Sequence, residues 1–411
     1  MRVHRVLLVQ LGGNWGGGTV ALIKVAEALR DSGKFEPYLL FSEEGDGPAY
    51  AREQGFQVLV GVVAALNCVL VAQPLSLTSI IRFVMEFFPS VFFIRRLLSH
   101  LNIDVMYINT SPPVGAAFAA KLQGIPIVWH VREVINHKFI GRIVAYCIKQ
   151  FSTIIIANSN YSAQRFLQSA NLHRVYDGVP LFIPASPHEI KAMREKWGFG
   201  GENENPIVGM ISPLAPIKGQ HIFLNAIPKV LSKCPDARFV IVGGSTIPKR
   251  YWKTFRGRLR CLLGQKDQLD ILRNHAEALT IAQYIYFDDW YTDISVVLSS
   301  IDVIVFPSLI PEGFGRPQVE AGSAYKPIIA SDIGPARELV EDGATGILFP
   351  PGDAMALGES IVTLLKDKQT MLAMGQRGRE RVERYFSEQI HEREILSVFE
   401  NLTVKCDGEG T

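Results

Sequence analysis

Asp302-Val303-Ile304-Val305-Phe306-Pro307-Ser308-Leu309-Ile310-Pro311-Glu312-Gly313-Phe314-Gly315-Arg316-Pro317-Gln318-Val319-Glu320-Ala321 reads as strand, glycine-rich loop and helix. The short apolar run before Pro307 fits a buried strand. Prolines and glycines then punctuate a loop, and Glu320 falls where a helix has begun. A strand that feeds directly into a helix is half of a βαβ unit, so the sheet is expected to be parallel. The backbone N–H groups of Gly313, Phe314 and Gly315 would point at whatever occupies the sheet end. Helix N-termini carry unpaired donors and partial positive charge, which suits an anionic or polyhydroxylated ligand. The plainer reading is a strand-to-helix connection with two solvated glutamates, Glu312 and Glu320.

The same alternation extends outward in both directions. Towards the N-terminus, strands are expected at Arg5–Gln10, Pro37–Phe41, Gln57–Val60, Asp104–Ile108, Ile125–Trp129 and Thr153–Ala157, with helical segments such as Thr19–Arg30 and Val114–Leu122 between them. Around the opening stretch, strands are expected at Ile207–Met210, Arg238–Val242, Ile285–Phe287, Val303–Phe306, Ile328–Ala330 and Gly346–Phe349. The pattern lapses into a proline-containing stretch, a helical one over His188–Trp197 and a polar one, predicting two doubly wound, Rossmann-like α/β domains over 1–182 and 206–387 with a linker over 183–205. Sheets of this kind bind ligands outside the strand C-termini. Two such domains facing each other would place one central cleft between them.

A chain of 411 residues with 48% apolar and 20% charged residues is globular and too long for one core. A formal net charge of +2 carries no nucleic-acid footprint. The five cysteines are scattered, without a Cys-x-x-Cys, which argues against a disulfide framework or a zinc site and for a reducing, cytoplasmic compartment. The chain enters a strand pattern almost at once, and no signal peptide or spanning helix is expected. Two stretches stand out. Leu75–Leu101 is aromatic-rich, interrupted by Pro89, and carries Arg82, Arg95 and Arg96. It reads either as a helix pair dipping into a membrane interface or as two core helices with snorkelling arginines. Lys249–Arg260 interleaves basic and aromatic residues, and is either a solvated loop or a contact for an anionic surface.

Four further stretches end strands and carry polar groups. Leu11-Gly12-Gly13-Asn14-Trp15-Gly16-Gly17-Gly18-Thr19 opens a helix, and its glycines let backbone approach a ligand. It lacks a clean Gly-x-Gly-x-x-Gly spacing, and no acidic residue closes the second strand, so a nicotinamide enzyme is discounted. Trp129-His130-Val131-Arg132-Glu133 and Asn158-Ser159 end two other strands. Val208–Gln220 places Lys218 before Gly219 and a helix, where it would meet a phosphate as a point charge. Ala330-Ser331-Asp332-Ile333-Gly334-Pro335-Ala336-Arg337-Glu338 repeats the strand-turn-helix pattern. Asp288-Asp289 is adjacent rather than spaced as Asp-x-Asp, so no metal site is expected.

On Lys218-Gly219-Gln220, Pro307-Ser308, Glu312-Gly313-Phe314-Gly315, Glu320-Ala321 and Gly346-Ile347-Leu348-Phe349-Pro350, the sequence resembles the group 1, family 4 retaining nucleotide-sugar glycosyltransferases of the GT-B fold. The glycine loop, Trp129–Glu133 and Ala157-Asn158-Ser159 extend the resemblance into the first half. It implies an acceptor-side domain over 1–182, joined by a C-terminal helix over 388–411, and a donor-binding domain over 206–387. It also implies His130 beside the transferred sugar, Glu312 on the sugar hydroxyls, and Lys218 on the donor diphosphate. Gly313, Phe314 and Gly315 would offer backbone amides, Glu320 would take the ribose hydroxyls, and Gly17 and Gly18 would approach the diphosphate. The donor would be uridine- or guanosine-linked and the acceptor a glycan or lipid-linked glycan. The resemblance implies no metal, no cofactor and no protein nucleophile; the chain is expected in the cytoplasm, at the inner face of a membrane if the stretches 75–101 and 249–260 make peripheral contact with it. Three departures stand out. Pro213 occupies the position where the family's usual loop has Arg: either Lys218 and a helix N-terminus suffice, another cation such as Arg316 substitutes, or the chain is a weak or inactive member. Asp177 stands where Asn is common, and the stretch over 249–260 lengthens a connection. Pro213 motivates the alternative of a non-catalytic nucleotide-sugar-binding subunit.

Overall fold

Strand-sized apolar runs separated by amphipathic helices build two parallel sheets in the computed structural model, which describes residues 2–66, 77–135, 139–200, 205–244, 267–291 and 293–408. The chain divides into two units. Unit 1 comprises Met1–Gly178, Glu312–Phe314 and Glu388–Thr411, and unit 2 comprises Val179–Pro311 and Gly315–Ser387.

Unit 1 runs β1 (His4–Gln10), α1 (Gly17–Asp31), β2 (Phe35–Phe41), α2 (Asp46–Glu53), β3 (Gln57–Val60), α3 (Leu77–His100), β4 (Val105–Ile108), α4 (Val114–Leu122), β5 (Ile127–Val131), α5 (Ile140–Phe151), β6 (Ile154–Ala157), α6 (Asn160–Ala163) and β7 (Leu172–Arg174). The sheet order is β3-β2-β1-β4-β5-β6-β7. Every pairing in it is parallel. The order reverses between β1 and β4, the place where doubly wound sheets open to ligands. The inner strands β1, β2, β4, β5 and β6 are buried on both faces because helices cover both, whereas the edge strands β3 and β7 are more open. One cover is the C-terminal helix α15 (Glu388–Gly408), whose Ile395, Val398, Phe399 and Leu402 share a core with Phe35, Val105 and Tyr107.

Unit 2 runs α7 (Pro187–Lys196), β8 (Ile207–Ile211), α8 (Gln220–Leu231), β9 (Arg238–Val242), α9 (Gln268–Ala278), β10 (Ile285–Asp288), α10 (Ser295–Ser300), β11 (Val303–Phe306), α11 (Arg316–Ser323), β12 (Ile328–Ser331), α12 (Ala336–Leu339), β13 (Gly346–Phe349), α13 (Ala354–Lys366) and α14 (Lys368–Tyr385). Its order is β10-β9-β8-β11-β12-β13, again parallel and again reversing beside the first strand.

The structure departs from the sequence reading in several places. The break expected at Pro89 does not occur, because α3 is one 24-residue helix with Pro89 inside it. Pro89 is exposed, and the turns after it are anchored by buried Val91, Ile94 and Leu98. β7 is a three-residue strand, too short and polar to register as an apolar run. The helical stretch read at His188–Trp197 is α7, capped by Ser186 and Glu189. Arg194 of α7 binds Asp302 at 3.2 Å and the Ser300 carbonyl at 3.1 Å. Residues 75 and 76 and the whole of 249–260 lie outside the described residues.

Candidate active site

In unit 1 the C-terminal ends of β1, β4, β5 and β6 converge on a buried polar network. Gln10 ends β1, and its Oε1 accepts from Asn109 Nδ2 at 2.6 Å. Asn109 also donates to the Gly18 carbonyl at 2.8 Å, fixing the glycine loop to the end of β4. That loop needs glycine where it meets the β2–α2 turn, since a Cβ on Gly13 would lie 2.4 Å from the Glu43 carbonyl. At Gly16, which caps α1, a Cβ would meet nothing within 4 Å. No acidic residue occupies the first turn of α1, so its positive end is uncompensated there.

His130 lies on β5 and is fully buried. Its Nδ1 stands 2.6 Å from the Tyr107 hydroxyl and 3.2 Å from Arg132 Nη2. Arginine only donates, so Nδ1 accepts and the ring proton resides on Nε2. Burial, then the charges of Arg132 and His391, hold the imidazole pKa well below its ordinary value, and the ring is neutral. Burial pushes the Tyr107 phenol up to about 12, so it remains a hydroxyl. Arg132 is buried and forms an ion pair with Asp177, while its Nε donates to Asn109 Oδ1 at 2.8 Å. Asn158 Nδ2 donates to the other Asp177 oxygen at 3.0 Å. The Asp at 177 is therefore the counter-charge that the buried guanidinium requires. The segment Glu312–Phe314 belongs to this unit. Ser159 Oγ donates to the Gly313 carbonyl at 2.5 Å, and a Cβ at Gly313 would collide with the Arg132 carbonyl.

In unit 2 the loops after β8, β9 and β11 mesh through glycine. Gly219 (φ 78°) presses against the Pro307 carbonyl, and Gly243 (φ 155°) against that of Ser212. Lys218 ends a short 3₁₀ turn, with its Nζ 5.9 Å from the centre of the Phe306 ring. Pro213 is exposed, and its carbonyl accepts from Gln220 Nε2 at 2.8 Å. α11 starts at Arg316, after Gly315 in a left-handed conformation (φ 93°), so Glu320 lies in its second turn. Arg316, expected as a substitute cation, pairs with Glu320 at 3.1 Å. At the end of β10, burial works against charge on Asp288, but Lys196, Trp197 and Tyr291 hydrogen bonds outweigh it and hold the carboxyl below its usual range.

Eight buried side-chain polar atoms among the described residues have no partner in the chain. Six of these lie near strand C-termini, three in each unit. Thr110 Oγ1, His130 Nε2 and Asn158 Oδ1 lie at or just after the ends of β4, β5 and β6. Gln220 Oε1, Gln318 Oε1 and Ser331 Oγ lie at a strand end or in the first turn of a helix that follows a strand. Buried polar groups are nearly always paired, so these six require water or a ligand. Of the residues singled out from sequence, His130, Gly313 and Phe314 fall in unit 1 together with Gly17, Gly18 and Glu312, and Lys218, Gly315, Arg316 and Glu320 fall in unit 2. Sequence reasoning missed Gln10, Tyr107, Asn109 and the Arg132–Asp177 pair; their place at strand ends was the available signal.

The profile of glycosyl transferases group 1 matches residues 191–381, and that of glycosyltransferase family 4 matches residues 15–181. The chain belongs to the group 1, family 4 glycosyltransferases. It is 30% identical over 257 residues to a GDP-mannose-dependent monoacylated alpha-(1-6)-phosphatidylinositol monomannoside mannosyltransferase of Corynebacterium glutamicum, covering 59% of this chain and 61% of that protein. It is 26% identical over 310 residues to a GDP-mannose-dependent alpha-(1-6)-phosphatidylinositol monomannoside mannosyltransferase of Mycolicibacterium smegmatis, covering 69% of this chain and 73% of that protein. This glycosyltransferase thus spans about three fifths of the length of the corynebacterial relative. Among solved structures, Anabaena HepE in complex with UDP and glucose superposes with a TM-score of 0.77 at 23% identity, covering 96% of this chain and 99% of that one. That likeness establishes the fold, GT-B with two Rossmann-like domains.

Proposed function

We propose that the protein is a retaining glycosyltransferase that moves a glycosyl group from a UDP- or GDP-linked sugar to a glycan or lipid-linked acceptor. The observation that carries this reading is the set of unpartnered buried polar atoms at the C-terminal edges of both sheets. Such atoms suit a ligand rich in hydroxyls and phosphate oxygens. In this reading Lys218 and the α1 and α11 N-termini neutralise the diphosphate as it leaves. Glu320 takes the ribose hydroxyls, Glu312 the sugar hydroxyls, and the Nε2–H of neutral His130 donates to the transferred sugar. Gly17, Gly18, Gly313, Phe314, Gly315 and Arg316 complete the donor site. No metal, cofactor or protein nucleophile is assigned a part. The new bond forms on the face that the diphosphate leaves.

The acceptor is read as lipid-linked because of α3. Ile81, Val84, Met85, Phe88 and Phe92 are all exposed and recur at helical spacing along one face, with Phe88 75% exposed. Arg82, Arg95 and Arg96 are exposed beside them. A face of this composition suits the headgroup layer of an anionic bilayer. No described helix is long and apolar enough to cross a membrane. The chain is therefore read as acting from the cytoplasmic side, held peripherally through α3.

Pro213, with Arg316 already engaged by Glu320, favours a second reading as a non-catalytic binding subunit. One experiment separates the two. Purified protein is incubated with UDP- and GDP-sugars, with and without a membrane-lipid extract, and nucleoside diphosphate release and product anomeric configuration are followed. Acceptor-stimulated release with retained configuration is expected. Nucleotide binding without release from any donor would leave the binding-subunit reading.

A further inference from the structure

We propose that Glu133 binds the attacking hydroxyl of the acceptor and takes its proton; this rests on the transferase reading above. Glu133 lies two residues past the end of β5, at the edge of the unit 1 sheet where Thr110 Oγ1, His130 Nε2 and Asn158 Oδ1 stand unpartnered. Its Oε2 accepts both the backbone N–H and the hydroxyl of Ser111, each at 3.0 Å. The backbone N–H of Arg132 also donates to its carboxylate. From the β4 side it faces Ser111, from its own strand Arg132, and from segment 312–314 the backbone of Gly313, whose Cβ position lies 3.2 Å from Glu133 Cα.

The charge on Glu133 is not explained by folding. Both Ser111 donors would be satisfied equally by the amide oxygen of a glutamine. Arg132 is committed to Asp177, and Glu133 enters no ion pair among the described residues. Glu133 is half-buried, and the nearby cation Arg132 is hydrogen-bonded elsewhere, so its charge is only partly compensated. Burial raises its pKa, against the Ser111 hydrogen bonds and the Arg132 charge, which strengthens it as a base. In the step assigned here, the acceptor oxygen bonds the anomeric carbon as its proton passes to Oε1. The bond from that carbon to the diphosphate breaks, and its electron pair leaves with the nucleoside diphosphate. Glu133 then returns the proton to solvent.

The test compares wild type, Glu133→Gln and Ser111→Ala for transfer, for nucleoside diphosphate affinity, and for thermal unfolding. Glu133→Gln should lower transfer by about 10²-fold or more while nucleoside diphosphate affinity and Tm hold, and should abolish the acid limb of the kcat/KM pH profile. A base must be deprotonated, so that limb falls as pH drops through the raised pKa. Ser111→Ala removes a donor that stabilises the carboxylate, and should move the limb to higher pH. Glu133→Gln transfer at the wild-type rate, or loss of nucleoside diphosphate affinity in parallel, overturns the assignment. If Glu133→Gln does not fold, an unmoved limb in Ser111→Ala overturns it. Absence of transfer by wild type sinks the transferase reading instead.

Discussion

Arg132 and Asp177 show how much a single pair decides. Both are buried, and 45 residues separate them in sequence. A buried ion pair adds little net stability over apolar packing, but removing one partner strands the other charge. Asp177→Asn should therefore destabilise the protein by about 3–5 kcal/mol, read by urea unfolding, although asparagine is the smaller and less polar change on paper. Arg132→Gln in the same chain should recover part of that loss, because no charge is then left unmatched. Asn109 and Tyr107 hold the same guanidinium in place, so the pair also fixes which His130 nitrogen carries the proton.

At the level of elements, α3 divides into two kinds of surface. Ile94 and Leu98 are buried against the sheet, whereas Phe88 and Phe92 are open to solvent. Ile94→Ala should lower stability by about 2–5 kcal/mol. Phe88→Ser with Phe92→Ser should change it by no more than about 0.5 kcal/mol per site while abolishing flotation with anionic vesicles. Undiminished flotation would show that another surface makes the contact. The division was only partly legible in sequence. Strands such as Gln57–Val60, Arg238–Val242 and Val303–Phe306 were readable to the residue, because apolar runs bounded by turn residues have few alternatives. Pro89 misled, because a proline removes one hydrogen bond but tertiary packing beyond it holds the helix together. The glycine-rich strand-end loops that carry Lys218 and Glu312, and lead into the helix of Glu320, were readable in sequence. Glu133 and Asp177 were singled out, but their pairings with Ser111 and Arg132 stayed hidden, since hydrogen bonds between successive strand ends depend on sheet order, which local pattern does not encode.

For the molecule as a whole, unit 1 is built from both ends of the chain. Truncation after Ser387 removes Ile395, Val398, Phe399 and Leu402 from its core. Full burial of each such side chain contributes about 1.5–3 kcal/mol, so the loss rivals the whole stability of an ordinary domain. In limited proteolysis of the 1–387 chain, cleavage should concentrate within residues 2–178, while the 179–387 region stays protected. Equal protection of both would mean that α15 is dispensable. The same arrangement sets an order of events during synthesis. The ribosome releases the first 178 residues with the α15-facing side of their sheet, including Phe35 and Tyr107, uncovered. The helix that covers it is translated some two hundred residues later, a delay of about 10–40 s at bacterial elongation rates. During that time the second-made unit completes first, and the first-made unit is a client for chaperones.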